Sequence, residues 1–128
     1  MTKLLVLALL LHAQAPAAED RDFHWVHAVV TAYCGTCPMC CPGGHGITST
    51  GKNLNHGFLP GVAADPRALA YHTHVRIAGY GEVEVDDTGA AMRHDWDRAI
   101  VHLDVRMPSH ELARQFGRKW MWVRVYDD

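Results

Sequence analysis

The sequence predicts a mainly β protein, a small barrel of short strands with one or two brief helices. Three observations carry that expectation. Short β-branched and aromatic runs recur along the chain, punctuated by Gly and Pro turns. One segment alone carries clear helix start and stop signals. No internal repeat or low-complexity linker divides the 128 residues, so a single compact core is expected.

The first residues read as an export signal rather than as part of that core. Lys3 supplies the positive start, Leu4 to Leu11 the apolar stretch, and Ala13-Gln14-Ala15-Pro16-Ala17-Ala18 the small residues for cleavage. The apolar run is too short to span a bilayer comfortably, so no integral membrane segment is expected after cleavage. No Cys stands at the cleavage region, so nothing suggests a lipoprotein. The expected organisation is a signal over 1–18 and one barrel domain over 19–128.

The elements follow in order. His27 to Tyr33 is β-branched and aromatic, a strand. Gly57 to Ala64 is a Gly/Pro-punctuated approach to another. His74-Val75-Arg76-Ile77-Ala78 alternates, Gly79-Tyr80-Gly81 turns it, and Glu82-Val83-Glu84-Val85 alternates carboxylate with valine as a half-exposed strand does. Ala99 to Val105 is a fifth strand. Trp120 to Tyr126 closes the chain, with an aromatic/Arg face and a Met/Val face. The helix is His110 to Phe116: Ser109 suits its N-cap, Glu111 its N-terminal dipole and Gly117 its left-handed stop, and Leu112 and Phe116 are expected to face the core.

Net charge is -2 with histidine neutral, so no basic field points to nucleic acid. The ten histidines are scattered without an HExxH pattern, and they read as a surface that gains positive charge as the pH falls.

Asp65, Asp87 and Asp104 each stand beside an apolar, strand-like stretch, where a carboxylate is costly unless it is used. A carboxyl that keeps its proton near neutral pH can protonate a glycosidic oxygen. Asp104, between Leu103 and Val105, is the hardest to explain as simple structure. Asp65 before Pro66 equally suits a turn, as does Asp87-Thr88-Gly89 after a strand. Asp86 is expected to point to solvent, because strands alternate faces.

Read in order, the segments resemble the 3D domain, a family named for its three aspartates. The match runs from about Val29 to Tyr126. It rests on Val30-Thr31-Ala32-Tyr33-Cys34, Gly46-Ile47-Thr48-Ser49-Thr50-Gly51, Gly61-Val62-Ala63-Ala64-Asp65-Pro66, Val75 to Gly81, Asp87-Thr88-Gly89-Ala90-Ala91, Leu103-Asp104-Val105, and Pro108 to Ala113 with Phe116-Gly117-Arg118. The resemblance implies a six-stranded double-psi β-barrel, similar to the catalytic barrel of MltA-type lytic transglycosylases. It implies a secreted, periplasmic or wall-associated protein whose partner is peptidoglycan. The implied reaction cuts the β-1,4 link between N-acetylmuramic acid and N-acetylglucosamine and leaves a 1,6-anhydro end, with no cofactor. By family position Asp104 is the general acid/base, with Asp87 and Asp65 as its partners. Thr48, Thr50, Gly89 and Arg93 are the candidate substrate contacts. Arg93 would replace a lysine that the family carries after Asp-Thr-Gly. The stretch from Ala90 to Arg98 is longer than the family pattern and reads either as a longer hairpin loop that leaves the flanking strands in register or as a change to the groove and its substrate preference.

All four cysteines fall in Cys34-Gly35-Thr36-Cys37-Pro38-Met39-Cys40-Cys41. An even count in an exported chain first suggests disulfides. Adjacent Cys40 and Cys41 are poorly placed to bond each other, which leaves Cys34–Cys40 with Cys37–Cys41, or Cys34–Cys41 with Cys37–Cys40. The competing reading is one zinc held by all four thiolates, although two side-by-side ligands are unusual. The family resemblance implies a cluster that staples a loop beside the groove. The rival to an enzyme is a non-catalytic glycan-binding module of expansin-like type. A structural or redox module organised around the cysteines is a third reading.

Overall fold

The computed structural model describes residues 21–128, so the expected export signal lies outside the described residues. Six strands form a closed barrel: β1 (Phe23–Cys34), β2 (Val62–Ala63), β3 (His74–Ile77), β4 (Gly81–Asp87), β5 (His102–Met107) and β6 (Lys119–Tyr126). Their order around the barrel is β1-β5-β2-β4-β3-β6. Among the described residues two short helices accompany them, α1 (Ala90–Asp97) and α2 (His110–Phe116). The mainly β, six-stranded barrel with short helices is therefore the fold that the sequence predicts. Among the described residues no helix is long and apolar enough to cross a membrane.

Two neighbouring pairs are parallel, β1 with β5 and β2 with β4, and the remaining pairs are antiparallel. The interior is filled by one face of each strand. Val30, Val62, Val75, Val85, Val105 and Val123 are all fully buried there. Each such side chain contributes about 1.5–3 kcal/mol by leaving water. The first and last strands pair antiparallel from Phe23↔Tyr126 to Val30↔Lys119, and Asp127 N–H donates to Asp22 O. The outer face of this ribbon carries Trp25, Trp120 and Trp122, each more than half exposed. His27 lies against both Trp120 and Trp122, with ring centroids 5.3 and 4.8 Å away.

Three expectations are corrected. The stretch after Gly89 is a helix rather than a hairpin loop, because Ala, Met and Arg favour a helix and Met92 and Asp95 supply an inward face. In α2, the Ser109 side chain does accept from Leu112 N–H, and Gly117 does end the helix at a φ of 74°. Leu112 is nevertheless 44% exposed, and Ala113 takes the buried position instead. Asp86 does not face solvent. The β2–β4 register shifts between Val62 and Ala63, so simple alternation fails there. Asp86 is fully buried and grips Arg106 with two bonds, Oδ1 to Nη1 at 3.0 Å and Oδ2 to Nη2 at 2.6 Å. Gly61 makes room for this pair: a Cβ there would stand 2.0 Å from Arg106 Nη2.

Candidate active site

Strand register brings two of the three aspartates into one row. Thr31 on β1 pairs with Asp104 on β5, Asp104 pairs with Ala63 on β2, and Ala63 pairs with Asp87 on β4. Residues paired across neighbouring strands share a face. Asp104 and Asp87 thus flank the small side chain of Ala63. Ala63 belongs to an apolar cluster with Tyr33 and Met92, and Cys40 and Cys41 pack against it.

The two carboxyls are held differently. Asp87 accepts four hydrogen bonds: Ser49 N–H at 3.1 Å, Ser49 Oγ at 2.9 Å, Thr88 N–H at 2.9 Å and Tyr33 OH at 2.9 Å. Burial pushes the Tyr33 phenol up, which keeps its proton available for Asp87. Asp104 has one side-chain partner on this face, Thr31 Oγ1 at 2.9 Å. Burial pushes the Asp104 carboxyl up to about 6; the Thr31 hydroxyl opposes that rise and the charge of Asp87 adds to it.

Thr31 leads to a buried chain of polar groups. Its Oγ1 lies 2.7 Å from His102 Nε2, and His102 Nδ1 lies 2.9 Å from Asp95 Oδ2 on α1. Burial lowers the His102 imidazole below its ordinary value, against the pull of Asp95. One hydroxyl proton decides how this chain is arranged. With neutral His102, Nδ1–H donates to Asp95 and Nε2 accepts from Thr31. Thr31 oxygen is then free to accept from a protonated Asp104. When Asp104 is ionised, the Thr31 hydroxyl turns to donate to it, and Nε2 needs a proton of its own to bond Thr31. The protonated acid is thus the state in which His102 Nε2 meets a donor while His102 stays neutral.

Asp65 is not in the row. Arg67 Nη2 donates to its Oδ2 at 2.6 Å, and Arg67 backbone N–H donates to its Oδ1 at 2.7 Å, an arrangement that holds the Asp65 carboxyl below the usual range. Arg67 also bridges to Asp97 on α1 at 3.0 Å. Thr48 and Thr50 bond each other at 3.2 Å, and Thr50 Oγ1 donates to Asp86 O. They fasten their turn to β4, while Ser49 between them reaches Asp87. Gly89 is the residue that starts α1, with Met92 closely packed on it. Arg93 Nη1 donates to Thr88 Oγ1 at 3.4 Å, and its charge acts on Asp65. A cleft of about 200 Å³ lined by Leu54, Phe58, Arg106 and Pro108, among others, contains none of the three aspartates.

Four contributors escaped the sequence reading: Thr31, Tyr33, Asp95 and His102. Thr31 and Tyr33 stood among strand formers, and His102 was one of ten scattered histidines. The available signal was the two-residue step from His102 to Asp104, which sets both on one face of β5.

The expected disulfides are not shown in this structure. All four cysteines are free thiols. The chain turns at Cys37 so that Cys40 N–H donates to Cys37 Sγ at 3.2 Å, while Cys41 Sγ turns toward Cys34 O at 3.5 Å. Neither expected pairing is shown.

No family model matches the chain. It is similar to two curated proteins of Bacillus subtilis (strain 168). Over 96 residues it is 31% identical to the "Putative cell wall shaping protein YabE", a span covering 74% of this chain and 21% of that protein. Over 81 residues it is 34% identical to the "Cell wall-binding protein YocH", covering 62% of this chain and 26% of that protein. The chain thus spans about a fifth to a quarter of the length of these relatives.

Proposed function

We propose that this barrel acts on the bacterial cell wall outside the cytoplasm, as a lytic transglycosylase of peptidoglycan with Asp104 as the general acid/base. The observation that carries the reading is the Asp104 carboxyl, pushed up to about 6 and placed at the end of the Thr31–His102–Asp95 chain. The cell-wall names of both relatives support the substrate class.

In the proposed reaction protonated Asp104 gives its proton to the glycosidic oxygen as the bond from that oxygen to the anomeric carbon breaks. The C6 hydroxyl of the same muramic acid residue attacks that carbon, and its proton passes to the Asp104 carboxylate. The acid is restored, the sugar closes to a 1,6-anhydro ring, and no water is consumed. The nucleophile belongs to the substrate, so a second carboxylate at a retaining or inverting distance is not needed. Asp87, fixed by four donors, raises the proton affinity of Asp104 through its charge. Asp65 acts at a distance, by holding Arg67 against α1, the helix that carries Asp95.

The test is incubation of the exported chain and an Asp104→Asn variant with purified peptidoglycan, read by mass spectrometry of the released fragments. Anhydro-ended products from the first and at least about a hundredfold fewer from the second are expected, the usual scale for losing a general acid. The rate of the unaltered chain should fall about tenfold per pH unit above about 6, as Asp104 loses its proton. Equal product from both proteins would exclude Asp104 as the acid.

A second reading is a wall-binding module without catalysis. Its specific support is the exposed Trp25, Trp120 and Trp122 strip, since aromatic faces stack on sugar rings, together with the name of the second relative. Sedimentation with peptidoglycan without any release of anhydro products would select it.

A further inference from the structure

The cysteine loop meets a partner that its own sequence does not contain. Cys37 Sγ and Cys40 Sγ both face His110 Nδ1, at 4.0 and 3.2 Å, although His110 lies about seventy residues further along, on the first turn of α2. The three ligand atoms all lie within 4.8 Å of one another. A tetrahedral zinc with Zn–S near 2.3 Å and Zn–N near 2.0 Å requires S···N separations of about 3.5 Å and an S···S separation of about 3.8 Å. The two observed S···N distances bracket the first value.

Two further features agree. Cys37-Pro38-Met39-Cys40 has the Cys-x-x-Cys spacing that suits zinc, and Cys40 N–H donates to Cys37 Sγ at 3.2 Å, an outer bond of the kind that orients a ligand sulfur. Cys41 faces Cys34 O and packs against the Tyr33, Ala63 and Met92 cluster, which removes the difficulty of two adjacent ligands on one metal.

We propose that Cys37, Cys40 and His110 bind one structural zinc ion, and that this ion ties the 34–41 loop to α2. Thiolate and imidazole donors without carboxylates select zinc over calcium or magnesium. The ligands come from two segments about seventy residues apart, so the role of the ion is to hold those segments together. The held segment is the one that brings Cys40 and Cys41 against the Ala63 floor between Asp87 and Asp104. The proposal stands independently of whether the barrel cleaves or only binds its polymer.

The experiment is metal analysis of the chain, purified without a polyhistidine tag and under reducing conditions, together with cobalt substitution. About one zinc per chain is expected, and cobalt should give tetrahedral visible bands with strong thiolate charge-transfer absorption. Cys40→Ser and His110→Ala should each reduce bound zinc to a small fraction, whereas Cys41→Ser should keep it. His110→Cys should restore it and strengthen the charge transfer, which separates a lost ligand from a misfolded chain. Three results would overturn the proposal: no stoichiometric metal in the reduced, zinc-supplied protein; a native mass showing hydrogens lost to disulfides; or Cys41→Ser losing metal as fully as Cys40→Ser.

Discussion

Asp104 carries a thermodynamic signature that a surface carboxyl lacks. Its ordinary value of 3.8 applies to the unfolded chain, and its folded value is about 6. Between those values the folded state keeps a proton that the unfolded state has lost. Stability therefore falls as the pH rises through that window. The penalty is absent below it and complete above it, and amounts to about 3 kcal/mol at most. Replacing Asp104 by Asn removes the ionisation. The variant should therefore gain about 1–3 kcal/mol over the unaltered chain near pH 7.5, and little near pH 4. Urea unfolding of both proteins at the two pH values measures this, and an equal gap at both would show that no buried charge is being forced on residue 104. The same residue shows what was legible in sequence. A carboxyl between Leu103 and Val105 in a strand run is visible as an anomaly without any structure. Its partners are not, because Thr31 and Asp95 reach it through strand pairing and a helix that local patterning does not connect.

The elements teach a complementary lesson. All six strands were legible from β-branched runs and turns, and α2 from Ser109 and Gly117. Asp86 was misread because the face it takes depends on a register shift between β2 and β4, a property of two strands rather than of one. The segment after Gly89 was misread because its distance from a family pattern outweighed its own composition, Ala-Ala-Met-Arg, which favours a helix. Among these elements, the joint between β4 and β5 is the most exposed to a single change. The Asp86 and Arg106 side chains are both almost wholly buried, and Arg106 also donates to Leu59 O and Pro60 O, while Lys52 stands 3.2 Å from Asp86. Asp86→Ala leaves the guanidinium buried without its carboxylate and should cost about 3–5 kcal/mol. Chemical denaturation of the variant measures it. A loss below about 1 kcal/mol, the scale of a surface pair, would mean that Arg106 finds water or another acceptor.

At the scale of the whole molecule, the barrel divides its surface by chemistry. One region, on β1, β5, β2 and β4, gathers the polar row, α1 and the cysteine loop. The β1–β6 ribbon carries the tryptophans. The closed sheet explains why so much of the fold was readable while the site was not. Each strand buries alternate residues for its own reasons, but the row of Thr31, Asp104, Ala63 and Asp87 exists only after four strands from separate parts of the chain have aligned.

The pairing of Phe23 with Tyr126, and of Asp22 with Asp127, has an architectural consequence. The path into the barrel and the path out of it run side by side, so the domain behaves as a loop attached at one point. Such a unit can be set within or at the end of a larger polypeptide without either flank having to cross the fold, which suits relatives of which the matched span makes up only 21% and 26%. A circular permutant should therefore keep its architecture when residues 21 and 128 are joined by a short glycine-rich linker and the chain is opened at the exposed His56–Gly57 bond. Cooperative unfolding with an unchanged far-ultraviolet spectrum is the expected result. Loss of cooperativity would mean that this end-to-end ribbon must form in its original order.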